Sequence, residues 1–154
     1  MTSETDPVSH PPVSLSLTVK DGAAALDFYR RAFGAKEVLR MDAPDGGVGH
    51  AEFLLGDTRI YLSEESPDWH AFAMPEGAKA SCLFTIGTEN CDTAHAKALE
   101  AGAVSLSEPE DYFWGMRSSV VLDPFGYRWS LAHLTEQVTP EEVLRRAEEL
   151  MSGE

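Results

Sequence analysis

One internal repeat constrains the fold of this 154-residue chain more than any other feature. Ser14 and Val19 recur as Ser81 and Ile86, an offset of 67. Phe33-Gly34-Ala35 recurs as Ala101-Gly102-Ala103 at an offset of 68, and Arg59-Ile60-Tyr61-Leu62 as Arg128-Trp129-Ser130-Leu131 at 69. A period of this length is too long for a solenoid. It requires two copies of one supersecondary module, with small loop insertions accounting for the drift.

The pattern inside each copy is readable. Residues 14–19 alternate polar and apolar, as a half-buried strand does. Asp21 can cap a helix over 23–33, whose Leu26, Tyr29 and Phe33 share a face and whose end falls at Gly34. Strands follow over 36–41, 50–55 and 59–63, separated by Pro44-Asp45-Gly46-Gly47 and Gly56-Asp57. Residues 64–79 read as a linker. The order then returns: a strand over 81–86, a helix over 92–100 capped by Asn90 or Asp92, and strands at 104–107, 112–122 and 127–133. Asp123-Pro124-Phe125-Gly126 is the last hairpin turn. Thr139-Pro140-Glu141-Glu142 opens a final helix to about Met151, with Thr139 as N-cap, Pro140 at N1 and Glu142 completing a capping box. Its Val143, Leu144, Ala147, Leu150 and Met151 need burial on the domain or on a partner.

The expected fold class is α+β: two tandem βαβββ modules forming a curved mixed sheet, a cup, with helices outside and a C-terminal helix added. The expected organisation is a flexible tail over 1–13, one domain over 14–134 and the C-terminal helix over 135–154. Within the domain, modules at 14–67 and 80–134 flank a linker at 68–79.

Charge narrows the partners. Acids outnumber bases 26 to 12, for a formal charge of −14. That disfavours nucleic acid and anionic membrane surfaces, which need clustered Lys and Arg. It suits a cationic or neutral small molecule. No stretch is long enough to span a bilayer, and the polar, acidic start of the chain has no signal-peptide pattern. Cys82 and Cys91 are too few for a disulfide scaffold and match no zinc spacing, so a cytoplasmic protein with free thiols is expected.

A duplicated βαβββ module resembles the vicinal oxygen chelate superfamily, which includes glyoxalase I, extradiol dioxygenases and bleomycin-resistance proteins. The residues that carry the resemblance are Val19-x-Asp21, Phe28-Tyr29, Phe33-Gly34-Ala35, His50-Ala51-Glu52 and Gly56-Asp57. In the second copy they are Phe113-Trp114-Gly115-x-Arg117 and Asp123-Pro124-Phe125-Gly126-Tyr127-x-Trp129. Together they look most like the PhnB-like branch. In metal-dependent members each module supplies two ligands, one on its first strand and one on its last. Those positions correspond here to Ser14, Tyr61, Ser81 and Ser130. None is a His or a carboxylate, so the resemblance implies a site with no metal and no other cofactor.

Alternation puts Ser14, Ser16, Thr18, His50, Glu52, Arg59, Tyr61, Ser81, Thr85, Arg128 and Ser130 on the polar face. Their neighbours Leu15, Leu17, Val19, Phe53, Ile60, Phe84 and Trp129 face the helices. His50 and Glu52 project to the same side, about 7 Å apart at the backbone. They form either a proton-transfer pair or a hydrogen-bonded pair that only lines the cup. Arg59 and Arg128 either clamp a carboxylate or phosphate on a ligand or neutralise nearby acids. Read as strand, Tyr112 and Trp114 share one face, where Trp114 either stacks on a flat ligand or packs a core or dimer interface. His10, His70, His95 and His133 are expected at the surface or as caps.

Two functions remain. One is a binding protein that takes a small organic molecule through Tyr61, Trp114, Tyr112, Arg59, Arg128, Ser14, Ser81 and Ser130. The other is an enzyme, a metal-dependent or acid–base lyase, isomerase or dioxygenase using His50 and Glu52. A homodimer is expected for either.

Overall fold

The computed structural model describes residues 11–153. Residues 1–10 of the tail expected over 1–13, His10 among them, lie outside the described residues. The described residues group into two compact units, 11–30 with 34–73 and 31–33 with 74–153.

The first unit contains β1 (Leu15–Val19), most of α1 (Gly22–Phe33), β2 (Lys36–Asp42), β3 (Val48–Leu55) and β4 (Thr58–Glu64). The second contains β5 (Leu83–Gly87), α2 (Cys91–Ala101), β6 (Val104–Tyr112), β7 (Met116–Leu122), β8 (Arg128–Leu134) and α3 (Pro140–Ser152). Each copy builds its own four-stranded mixed sheet, ordered β1-β4-β3-β2 and β5-β8-β7-β6. In both, the first strand runs parallel to the last, which the intervening helix permits, and the other pairs are antiparallel. The duplication is thus a repeat of topology as well as of sequence.

Alternation sets the register as expected. Leu17, Val19, Ala51, Phe53, Ile60 and Leu62 are buried, and Tyr29 of α1 stacks on Phe53 with ring centroids 5.3 Å apart. Asp21 Oδ1 accepts the Ala24 N–H at 2.9 Å, and Glu64 Oε1 accepts the Gly22 N–H at 2.8 Å. Two acceptors therefore hold the start of α1, where orphan N–H groups and the helix dipole favour carboxylates. In the second unit, Trp129, Leu131 and Val121 are buried, and Phe33 lies 5.1 Å from the Trp129 ring. Asp123 gathers the last hairpin. Its Oδ1 accepts from the backbone N–H of Phe125 and Tyr127, and its Oδ2 from the Trp129 indole at 2.9 Å. This is the physical content of the Asp-Pro-Phe-Gly-Tyr-x-Trp run.

Three expectations change. Residues 112–122 are not one strand: β6 ends at Tyr112, and Phe113, Trp114 and Gly115 form the turn into β7. Gly115 has φ +86°, and a Cβ there would lie 2.3 Å from the Glu136 carbonyl oxygen, so the turn needs glycine. The strand expected over 81–86 begins only at Leu83. The capping box is half made. Thr139 Oγ1 accepts the Glu142 N–H, but the Glu142 carboxylate turns to Arg145 and Arg146 one turn along the helix. None of the apolar residues of α3 is buried, and Leu144, Leu150 and Met151 are each more than half exposed.

Candidate functional site

The open face of the first sheet is built by a row of four paired residues. Ser16 of β1 pairs with Tyr61 of β4, Tyr61 with Glu52 of β3, and Glu52 with Leu39 of β2. Residues in register share a face. His50 stands two residues from Glu52 on the same face and pairs with Met41. Polar groups thus occupy the centre of the sheet, and exposed Leu39 and Met41 flank them on the edge strand.

Glu52 is the centre of this cluster, with a side chain only 8% exposed. Its Oε1 lies 3.2 Å from His50 Nε2, and its Oε2 accepts from Arg59 Nη1. Burial raises the carboxyl's proton affinity. The hydrogen bonds and charges of His50 and Arg59 outweigh it and hold Glu52 below the usual carboxylate range. Glu52 is therefore an anion at neutral pH and can only accept. That fixes the His50 Nε2 as the proton-bearing nitrogen and leaves Nδ1 with a lone pair when the ring is neutral. The Tyr61 ring lies 5.6 Å from the His50 ring. Its hydroxyl is buried and has no hydrogen-bond partner among the described residues. An unpaired buried donor of this kind costs about 1–3 kcal/mol.

The second unit differs at the equivalent positions. Ser130 pairs with Thr85 and with Val120, so no ionisable group stands where Glu52 stands. Arg128 donates its Nε to the Ala80 carbonyl at 2.8 Å and its Nη2 to the Ser81 carbonyl at 2.7 Å. Ser14 and Ser81 are exposed and precede their strands. Tyr112 and Trp114 stack on each other with centroids 4.4 Å apart, Tyr112 from the end of β6 and Trp114 from the turn; Trp114 remains 41% exposed.

The polar cluster of the second unit lies under α2 instead. His95 is buried, with Nδ1 2.9 Å from Ser119 Oγ and Nε2 3.4 Å from a Glu108 carboxylate oxygen. Cys91 Sγ donates to the Leu131 carbonyl at 3.1 Å and lies 3.6 Å from Ser119 Oγ. His133 Nδ1 accepts the Cys91 N–H at 2.8 Å, capping α2 as a histidine cap was expected to do. His70 is exposed, with φ 54°. The buried place of His95 departs from expectation. Cys91, His95 and Ala98 follow the i, i+4, i+7 rule, and that spacing was the available signal.

The donor chemistry does not fit a divalent metal. The four positions that correspond to family ligands carry Ser14, Tyr61, Ser81 and Ser130, whose hydroxyl groups are weak ligands for such ions. Glu52 has both oxygens engaged by His50 and Arg59. Among the described residues, no three His, Cys, Asp or Glu side chains cluster as a metal site requires.

Fold and face together define a class. The profile of the Glyoxalase/Bleomycin resistance protein/Dioxygenase superfamily matches residues 12–131, and the chain belongs to that superfamily. An uncharacterized protein of Mycobacterium tuberculosis is 33% identical over 142 residues, spanning 86% of this chain and 80% of the relative. The crystal structure of an Arabidopsis thaliana gene product matches with a TM-score of 0.64 at 26% identity, over 80% of this chain and 99% of that one. A fosfomycin resistance protein from Listeria monocytogenes, solved with Mn(II) and sulfate, matches at a TM-score of 0.63. At 18% identity over 91% of this chain and 99% of that one, it shares the fold alone. No helix among the described residues is long and apolar enough to cross a membrane.

Proposed function

We propose that the chain binds a small organic molecule on the open face of the first module, with no metal or cofactor. The observation that carries this reading is the unpartnered Tyr61 hydroxyl beside the ion-paired Glu52. A ligand acceptor, with the Tyr61 ring turned toward it, would pair that donor. The ligand's apolar body would lie against Leu39 and Met41, since small-molecule sites pair apolar lining with a few polar groups. Trp114 offers a separate stacking surface. The test is a thermal-shift panel of cationic aromatics and small keto acids on chelator-treated protein. At least one compound is expected to raise the melting temperature, and Tyr61→Ala or Trp114→Ala to weaken it. An activity abolished by chelation and restored by stoichiometric metal would overturn the reading.

The 3.2 Å contact between His50 and Glu52 favours a second reading, acid–base catalysis without metal. Glu52 would orient the ring, and His50 Nδ1 would take a proton from the substrate. Turnover of a bound compound that His50→Ala abolishes without abolishing binding would establish it.

We further place the chain in the PhnB-like branch, as a cytoplasmic homodimer acting on a small molecule and on neither nucleic acid nor membrane. The exposed Leu144, Leu150 and Met151 of α3 support dimerisation, since an apolar stripe of this kind is relieved by a second copy. Light scattering at micromolar concentration should give twice the chain mass; a monomer would count against it.

A further inference from the structure

We propose that Arg59 is the permanent cation of the first module's site: it neutralises Glu52 and keeps divalent ions from the His50–Glu52 pair. The inference rests on reading this face as the site, but its test needs no ligand, so the two can fail separately.

A buried carboxylate needs a proton, a metal ion or a basic side chain to offset its lost hydration. Glu52 is held in its ionised form, which removes the proton from the choice. The register then shows what remains. Arg59 pairs with Leu54, and Glu52 with Tyr61, so Arg59 and Glu52 are diagonal neighbours on one face. The guanidinium reaches along the sheet to Oε2 while His50 holds Oε1. With both oxygens filled, an arriving cation would have to displace the guanidinium and then sit beside it, like charge against like charge.

The duplicated arginine supplies an internal control. Arg128 stands at the position equivalent to Arg59, but Val120 stands where Glu52 does, and Arg128 turns to the carbonyls of Ala80 and Ser81. The arginine is paired with a carboxylate only in the module that has one to neutralise. Removing the charge at Arg59 should leave a His–carboxylate pair, two ordinary ligands for a first-row transition metal.

The experiment is a Co(II) titration of the full chain, followed by calorimetry and by paramagnetic broadening of the His50 ring protons. The NMR readout separates this site from the other histidines and from the exposed Cys82. Arg59→Ala should bind Co(II) at His50 at least about tenfold more tightly than the parent. The double variant Arg59→Ala/Glu52→Gln should lose the gain. Should Arg59→Ala fail to fold, Arg59→Gln keeps the side-chain length without the charge and should show the same gain. Parent protein that binds Co(II) at His50 as tightly as either variant overturns the proposal. So does a folded variant whose gain falls below about tenfold.

Discussion

In the first module, the face beneath the helix is apolar, with Leu17, Ala51, Phe53, Ile60 and Leu62 buried, and the ionisable groups His50, Glu52 and Arg59 stand on the open face. In the second, the open face has Val120 where Glu52 stands and carries Thr85, Ser130 and Arg128, while His95 and Cys91 of α2 meet Ser119 between helix and sheet. The two copies share strand order and register, so topology does not decide where polarity goes. One position shows the switch. Ala51 pairs with Leu62, and Ser119 with Leu131, which places Ala51 and Ser119 at equivalent points under their helices. A hydroxyl there is tolerable only where α2 brings His95 and Cys91 to meet it. A duplicated fold can thus keep one core apolar under a helix while its open face pairs a carboxylate with an arginine, and in its twin place polar groups under the helix with Val120 at the carboxylate's position.

The largest effects are expected in the two cores. Phe53→Ala and Trp129→Ala should each cost about 3–5 kcal/mol in denaturant unfolding. Trp129→Ala should fall at the upper end because it also takes the indole donor from Asp123. A marked excess for Phe53→Ala would mean that the second core depends less on its aromatic than its burial implies.

Exchange at the equivalent pair is next in size. Ser119→Ala removes a partner of the buried His95, and Ala51→Ser buries a hydroxyl with none at hand. Each should destabilise by about 1–3 kcal/mol. Neutrality of both would show that polarity under the helices is not discriminated.

Tyr61→Phe should have a smaller effect of opposite sign. It removes a buried hydroxyl without a partner among the described residues, and should raise stability by about 1 kcal/mol while weakening any ligand of the open face. Reduced stability would show that the hydroxyl is paired in solution.

Acid sharpens the same contrast. Glu52 is depressed in the folded state, so its contribution is present above the ordinary glutamate pKa of about 4.3 and is lost as pH falls through its lower folded value. Glu52→Gln should flatten the stability curve in that window, and Val120→Ala in the second module should not. Smallest is α3. Glu142, held by Arg145 and then Arg146, is lowered to about 2. Its support for the helix should fade between about pH 4.3 and about 2, read as the difference in helical circular dichroism between the parent and Glu142→Gln.

Much of this was legible in the sequence. Strict alternation in Leu15–Val19 and Thr58–Glu64 fixes the register, because a slip of one residue would expose the whole apolar set. Less legible was anything decided by a third element. Leu39 and Met41 escaped notice because bulges between Glu37 and Leu39 and between Met41 and Asp42 break the period of β2. Tyr112-Phe113-Trp114 reads as strand by composition, but Gly115 and the 135–138 segment packed over it make a turn. The Glu52–Arg59 pair is a diagonal contact between strands, set by side-chain reach, and spacing alone leaves its partner open.

Under the proposed function, the first module's open face binds the ligand with its own side chains and no metal. The most direct test is amide chemical-shift mapping of chelator-treated protein with a hit from the thermal-shift panel. Shifts should gather at Leu39, Met41, His50, Glu52, Arg59 and Tyr61 and stay unchanged when Mn(II) or Zn(II) is added. Shifts gathered at Thr85, Val120 and Ser130, or appearing only after metal is restored, would contradict it.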